Sequence, residues 1–298
     1  MKNKFKTGYV SIIGRPNVGK STLLNYMINQ KLSIVSRKPQ TTRWNLYGIK
    51  TGNDAQIIFI DTPGLQKQPK SALNRHMNRG VTHSLDHIDI ILFVIEALKW
   101  NELDQNVVEL LKGTQRNKLF LIINKVDKIN DKSQLLSFID MVSGYIEFKE
   151  IIPMSAIKGI GLANLELLLI KNLPIAPPLY PEDQVTDKNE RFFAAEFIRE
   201  QLILRLSDEL PYVSTITIDE FKDEDHIIHI HASIWVETRG QKSIIIGKNG
   251  NVLKVVGRAA RLQLEKLFDK KVNLKSWVKI KSNWANSEQA LKQLGYYE

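Results

Sequence analysis

The sequence predicts two domains of different class: an α/β domain with a mostly parallel sheet flanked by helices, followed by a smaller α+β domain. Three observations carry this prediction. Apolar runs at residues 9–13, 57–60, 88–98 and 119–123 read as strands buried on both faces, as central parallel strands are. Four prolines between residues 173 and 181 stop any helix and mark a boundary. Beyond them, a helical pattern gives way to two alternating apolar and polar stretches at 213–218 and 227–236, the mark of half-buried antiparallel strands.

The first run, 9–13, ends in Gly14-Arg15-Pro16-Asn17-Val18-Gly19-Lys20-Ser21, with Thr22 opening a helical stretch to residue 28. This spacing fits the phosphate-cradling pattern GxxxxGK[ST] in its required strand-to-helix setting. Glycines let backbone N–H groups wrap phosphates, Lys20 reaches the terminal pair, and the Ser21 hydroxyl ligates Mg²⁺. A nucleoside triphosphate is therefore expected along Gly14 to Thr22.

Residues 33–45 follow as a candidate switch segment. Within Pro39-Gln40-Thr41-Thr42-Arg43, a threonine is expected to ligate Mg²⁺ when the γ-phosphate is present, with Thr42 preferred and Thr41 the alternative. Lys20 and Thr42 are the residues expected to act on the reaction itself. The run 57–60 then ends in Asp61-Thr62-Pro63-Gly64, which sets Asp61 at a strand end in reach of Mg²⁺ through water and the Gly64 N–H in reach of the γ-phosphate.

The run 119–123 leads into Asn124-Lys125-Val126-Asp127. A carboxylate at Asp127 can accept two N–H bonds from guanine, whereas adenine would leave it partly unpaired, so GTP is expected over ATP. Ser155, Ala156 and Lys158, after a short strand at 151–154, resemble the last guanine-contacting loop. Together the four ordered elements resemble a translation-factor-type GTPase of the P-loop class. One position departs from the Ras-like pattern: Leu65 stands where those enzymes place a water-orienting glutamine, so a slow intrinsic rate is expected. Gln66 and Gln68 are weak substitutes. Families with an apolar residue there often carry an asparagine in the phosphate loop that helps hold K⁺, and Asn17 matches it.

At 298 residues with 43% hydrophobic content, the chain is long and apolar enough for one large core and one smaller core. The longest apolar run, 88–98, is about half the ~20 residues of a membrane-spanning helix and contains Asp89 and Glu96. The residues before the first strand are too few for a signal peptide, and the absence of cysteine excludes disulfides and Cys-based metal sites. These features fit a cytoplasmic location.

In the second domain, residues 191–206 have helical spacing, and 272–280 reads as another strand. Between them, Gly247-Lys248-Asn249-Gly250 interrupts an apolar helical run, giving the GXXG loop with which KH domains clamp a nucleic-acid backbone. Residues 241–281 hold eleven Lys or Arg against Glu265 and Asp269, a net +9 of the chain's +10. Charge focused in this way fits a polyanion-facing surface. Gly247, Lys248, Asn249, Gly250, Lys242, Lys254 and Arg258 are the expected RNA contacts, with apolar help from Ile244, Ile245 and Ile246.

With GRPNVGKS, QTTR, DTPG, NKVD and GKNG in order over nearly the full length, the chain resembles the Era family. The resemblance implies a P-loop GTPase domain at 1–173, a Pro-rich linker at 174–187 and a type II KH domain with a basic C-terminal region at 188–298. It implies a monomer that binds GTP and Mg²⁺, with K⁺ as a further expected ion. It also implies binding to small-subunit ribosomal RNA near its 3′ end during 30S subunit assembly. Weak peripheral contact with the cytoplasmic side of the inner membrane is a further implication, which the basic C-terminal region permits. The alternatives are a nucleotide-stabilised RNA scaffold without meaningful hydrolysis, for which Leu65 is the best support, and an ATP-using P-loop protein.

Overall fold

The computed structural model describes residues 4–36, 38, 41–65, 71–85, 87–115, 118–131, 133–206, 210 and 213–296. They form two compact units, Met1–Pro69 with His76–Asp187, and Lys70–Arg75 with Lys188–Glu298.

The first unit is built on strands β1 (Lys6–Ile13), β2 (Leu46–Thr51), β3 (Ala55–Asp61), β4 (Ile90–Glu96), β5 (Leu119–Asn124) and β6 (Glu150–Pro153). Their order in the sheet is β2-β3-β1-β4-β5-β6, antiparallel between β2 and β3 and parallel elsewhere. Every residue of β3, β4 and β5 is buried, which is why these strands read as unbroken apolar runs. Around the sheet run α1 (Lys20–Ile28), α2 (Ala72–His83), α3 (Glu102–Leu111), α4 (Gln134–Ser143) and α5 (Leu162–Asn172). Phe93, Ile95, Leu121 and Ile123 pack with Val107, Leu111, Val142 and Phe148 in a single apolar core. Parallel pairing has one functional consequence. The C-terminal ends of β1, β3, β4, β5 and β6 lie along one edge of the sheet, so the segments that follow them are neighbours.

Strand β2 was not foreseen, because its Tyr47, Gly48 and Lys50 interrupt the apolar pattern of an edge strand that is buried only in part. Segment 174–187 also differs from the expected linker. It is laid on the first unit as a strap, and the boundary between units falls after Asp187. Thr7 N–H donates to Pro174 O (3.1 Å), and Ile49 N–H donates to Val185 O (2.9 Å). The fully buried Gln56 donates its amide to Tyr180 O (2.8 Å) and accepts from the N–H groups of Leu179 (2.8 Å) and Tyr180 (3.0 Å). Prolines cannot join a ladder as donors, but their carbonyls and non-proline neighbours can, which holds a Pro-rich stretch in place.

The second unit contains α6 (Glu190–Arg205), β7 (Thr215–Asp223), β8 (Ile227–Val236), α7 (Arg239–Ile246), α8 (Asn251–Phe268), β9 (Lys271–Ile280) and α9 (Glu288–Gln293). Its sheet runs β7-β8-β9, antiparallel then parallel. One sheet face buries Ala232, Ile234, Val236 and Val278 against Ile198 and Leu202 of α6 and Val256 and Ala260 of α8. The helix–strand–strand–helix–helix–strand order is that of the expected type II KH domain. Strand β7 starts at Thr215 rather than at 213, because Val213 turns its carbonyl to the buried Trp284 Nε1 (3.1 Å), and it continues past a bulge between Ile218 and Glu220.

Replacing the strap's bracket, Gln56→Ala, is expected to cost about 1–3 kcal/mol by leaving buried backbone groups unpaired. Denaturant unfolding combined with limited proteolysis checks this, with new cleavage expected within 177–187.

Candidate nucleotide site and nucleic-acid interface

At the edge formed by the ends of β1 and β3, the side chain of Asp61 is fully buried. Its Oδ2 accepts hydrogen bonds from the hydroxyls of Ser21 (2.7 Å) and Ser33 (2.7 Å), and the Ser21 and Thr42 hydroxyls lie 3.0 Å apart. Burial pushes the Asp61 carboxyl up, against the pull of the Lys20 charge and these hydroxyls. Its second oxygen, Oδ1, is buried without a hydrogen-bond partner. A carboxylate and hydroxyls converging with one oxygen unsatisfied form a hard-oxygen donor set of the kind Mg²⁺ takes, so Ser21, Thr42 and Asp61 fit that ion. Thr41 takes a different role, donating its hydroxyl to Lys38 O (2.7 Å) within the same segment.

Lys20 opens α1 beneath the loop and donates to Gly14 O (2.9 Å) and Arg15 O (3.0 Å). Burial pushes its ammonium down to about 8, opposed by Asp61 and assisted by Arg15. A buried cation held by carbonyl oxygens is matched to phosphate oxygens in the same place. Gly19, at φ 106°, provides α1 with no side-chain cap, so the first N–H groups of the helix have no acceptor from that position. Val18 is fully buried, so only its backbone can serve a ligand. Thr22 lies one residue further into α1.

Arg15 is held by a carboxylate of α3. Its Nε donates to both carboxylate oxygens of Asp104 (3.1 and 3.0 Å), and Asp104 also closes the capping box of α3 with Asn101. Pro16 packs on Gly64: a Cβ at Gly64 would come within 2.7 Å of Pro16 Cγ, so only glycine lets the 61–64 turn approach the loop. Leu65 turns onto the first unit's core, which leaves no polar side chain at that position. Gln66 and Gln68, and Pro39 and Gln40 of the switch segment, lie outside the described residues.

The base-side residues form a lattice of ties. Asn124 is buried, donates to Val18 O (2.8 Å) and accepts from Ala156 N–H (3.0 Å), locking the phosphate loop to the 155–158 turn. Lys125 takes a left-handed backbone at φ 66° and donates to Asn17 O (2.6 Å) and to Glu96 Oε2 (2.6 Å). Asn17 itself sits at φ 66° at the loop tip. Asp127 is exposed at this edge, and Ser155 donates its hydroxyl to Asp127 Oδ1. Lys158 is exposed at the end of the short turn.

Three residues were missed by sequence reasoning. Ser33 is placed by Asn25 of α1, whose Oδ1 accepts from the N–H groups of Leu32 (2.9 Å) and Ser33 (2.8 Å). Asp104 holds Arg15. Glu96 loses charge stability through burial, but hydrogen bonds and charges of Lys125 and Lys99 outweigh this and hold its carboxyl down to about 2. Glu96 ends an apolar run as Asp61 and Asn124 do, and that was the available signal.

In the second unit, the loop between α7 and α8 has Gly247 at φ 72° and Gly250 at φ 76°, and a Cβ at Gly250 would meet nothing within 4 Å. Lys248 and Asn249 are exposed at its tip, as are Lys254 and Arg258 on α8, while Lys242 on α7 is half-buried. The three isoleucines divide: Ile245 is fully buried, Ile246 packs beside the core, and Ile244 is 54% exposed. Among the described residues, no helix is long and apolar enough to cross a membrane.

Comparison with known proteins agrees with both halves. Residues 9–125 match the family described as 50S ribosome-binding GTPase, and residues 209–285 match the KH domain. The chain is 47% identical to GTPase Era of Azotobacter vinelandii, over 99% of this chain and 98% of that one. It is also 47% identical to GTPase Era of Pseudomonas putida, over 99% and 98%. Two solved structures superpose with a TM-score of 0.94 at 38% identity, covering 99% of this chain and all of theirs. One is an Aquifex aeolicus Era variant bound to GDP·AlF4⁻, and the other an Era in complex with MgGDPNP and nucleotides 1506–1542 of 16S ribosomal RNA.

Proposed function

The chain belongs to the Era family of GTPases, and we propose that it is a GTP-hydrolysing switch that binds small-subunit ribosomal RNA near its 3′ end and acts in 30S subunit assembly. The observation that carries this reading is the meeting of Ser21, Thr42 and Asp61 beside the buried Lys20, because Thr42 belongs to the switch segment and the others to the rigid edge. A ligand at that meeting point biases the switch segment between two arrangements.

Lys20 exchanges its loop carbonyls for phosphate oxygens, and its charge is favoured as negative charge gathers on the transferring group. Ser21, Thr42 and Asp61 would hold Mg²⁺, which would supply positive charge against the phosphates. Thr42 draws residues 41–45 toward Ser21, and Asp61 holds the Ser21 hydroxyl in place. The Gly64 N–H follows the turn packed on Pro16. Asp127 reads the base edge, with Ser155 orienting its carboxylate. Since Leu65 lies against the core, water positioning falls to backbone groups and the ordered switch, and a slow intrinsic rate is expected.

The 247–250 loop, with two glycines at positive φ and an exposed lysine and asparagine, supports the RNA part of the reading. Contact with an anionic membrane surface would use the same basic charge, and binding to phosphatidylglycerol vesicles separates the two.

Binding of a small-subunit 3′-end RNA should be tighter with GDPNP than with GDP, and the double variant Lys248→Asp plus Asn249→Asp should weaken it roughly tenfold or more. Equal binding in both nucleotide states would instead favour the constitutive scaffold. Activation by K⁺ belongs to the same reading and rests on Asn17 at the loop tip. Hydrolysis should rise when K⁺ replaces Na⁺ at fixed ionic strength, and an unchanged rate removes that ion from the account.

A further inference from the structure

The second unit's sheet has a face that its core does not use. Along β8, Ile228, Ile230, Ala232, Ile234 and Val236 are buried on one side, which leaves His229, His231, Ser233 and Trp235 on the other. Register pairs His231 with Lys275, Ser233 with Trp277 and Trp235 with Lys279, so the same outer face continues onto β9. Contacts across it agree: the rings of His231 and Trp277 meet edge-on at 5.3 Å, and Lys279 Nζ lies 5.3 Å from the Trp235 ring.

The two tryptophans differ. Trp235 donates its indole N–H to Thr217 Oγ1 (2.9 Å) and is covered by Lys279 and, at 6.0 Å, Lys281. Trp277 is 47% exposed on β9, which is an edge strand of the sheet. Its ring is buttressed by His231, and Glu220 Oε2 lies 2.7 Å from His231 Nδ1. Lys275 and Lys279 flank Trp277 on the same face, and Lys271 continues the row at a spacing of about 13 Å per four strand residues. Charge is divided across the sheet. Asp219, Glu220 and Asp223 lie on β7, with Asp219 and Asp223 paired to Lys279 and Lys270, whereas among the described residues no ion pair holds Lys271 or Lys275 on β9.

We propose that this outer face, centred on Trp277 and the lysines of β9, is a second contact for single-stranded RNA, stacking a base on Trp277 while Lys271 and Lys275 meet the phosphates. The assignment rests on the RNA-binding reading above and adds a site apart from the glycine loop. A base has a flat face for an exposed indole, and a lysine row beside an aromatic platform is the arrangement that tracks a single strand. A membrane-inserting face would group several apolar side chains, but here the neighbours of Trp277 on its own strand and face are lysines.

The test measures affinity for a small-subunit 3′-end RNA by fluorescence anisotropy in the full chain, with 4-thiouridine in the RNA for cross-link mapping. Trp277→Ala should weaken binding about tenfold, and Trp277→Phe should keep most of it. Lys275→Gln should lower the slope of log affinity against log salt by about 0.7. Cross-links should fall within residues 271–279. Because Trp277 is exposed, the alanine variant should melt like the parent. Unchanged affinity in Trp277→Ala, with binding lost in the Lys248→Asp plus Asn249→Asp variant, overturns this proposal and leaves the RNA-switch reading standing. No binding by the parent chain overturns both. Loss of binding to phosphatidylglycerol vesicles in Trp277→Ala, with RNA affinity unchanged, assigns the face to lipid and overturns it as well.

Discussion

The first unit is organised around one buried carboxylate. Asp61 ends β3 with no exposure, and a charge there is tolerable only if the surroundings answer it. Ser21 and Ser33 answer one oxygen and the Lys20 ammonium supplies opposing charge, while the second oxygen has no protein partner. That unanswered oxygen is the observation on which the proposed Mg²⁺ site rests. Because two of the hydroxyls brought near Asp61, those of Ser33 and Thr42, come from the switch segment, the proposed filling of the site would order that segment in the same event.

The sheet determines which residues can meet Asp61. Parallel pairing delivers the ends of β1, β3, β4 and β5 to one edge, and short ties then fix the loops there. Asn124 spans from the phosphate loop to the 155–158 turn, Lys125 joins Asn17 to Glu96, and Arg15 is anchored to Asp104. Several motif positions thus tie the loops to one another at the edge where the nucleotide site is proposed. On the other side of the sheet order, β2 leaves the switch segment and carries the strap through the Ile49 and Val185 pair, just before the chain enters its second unit.

Much of this was legible in the sequence where local chemistry and spacing coincide. The loop at Gly14 to Ser21, the buried strands, and the GXXG turn all follow from residue types that only a few backbone paths accept. Partners brought together by tertiary packing were not legible. Glu96, Asp104 and Ser33 are ordinary polar residues until the sheet brings Lys125, Arg15 and Asp61 to them. Segment 174–187 read as a linker because its prolines deny ladder bonds, and the glutamine that binds it lies 124 residues from Tyr180 in the chain. Strand β2 was hidden by the mixed pattern of a half-buried edge, and the second tryptophan-bearing sheet face by the fact that alternation alone does not say which side stays open.

Mg²⁺ titration of GDPNP affinity in the parent chain and in Asp61→Asn shows whether the buried carboxylate holds the ion. Asparagine keeps a hydroxyl acceptor but removes the charge, so the fold should persist while affinity loses its dependence on Mg²⁺. An Asp61→Asn protein with the parent's full Mg²⁺ dependence would contradict the account, because the ion would then be held without the carboxylate on which the site is built.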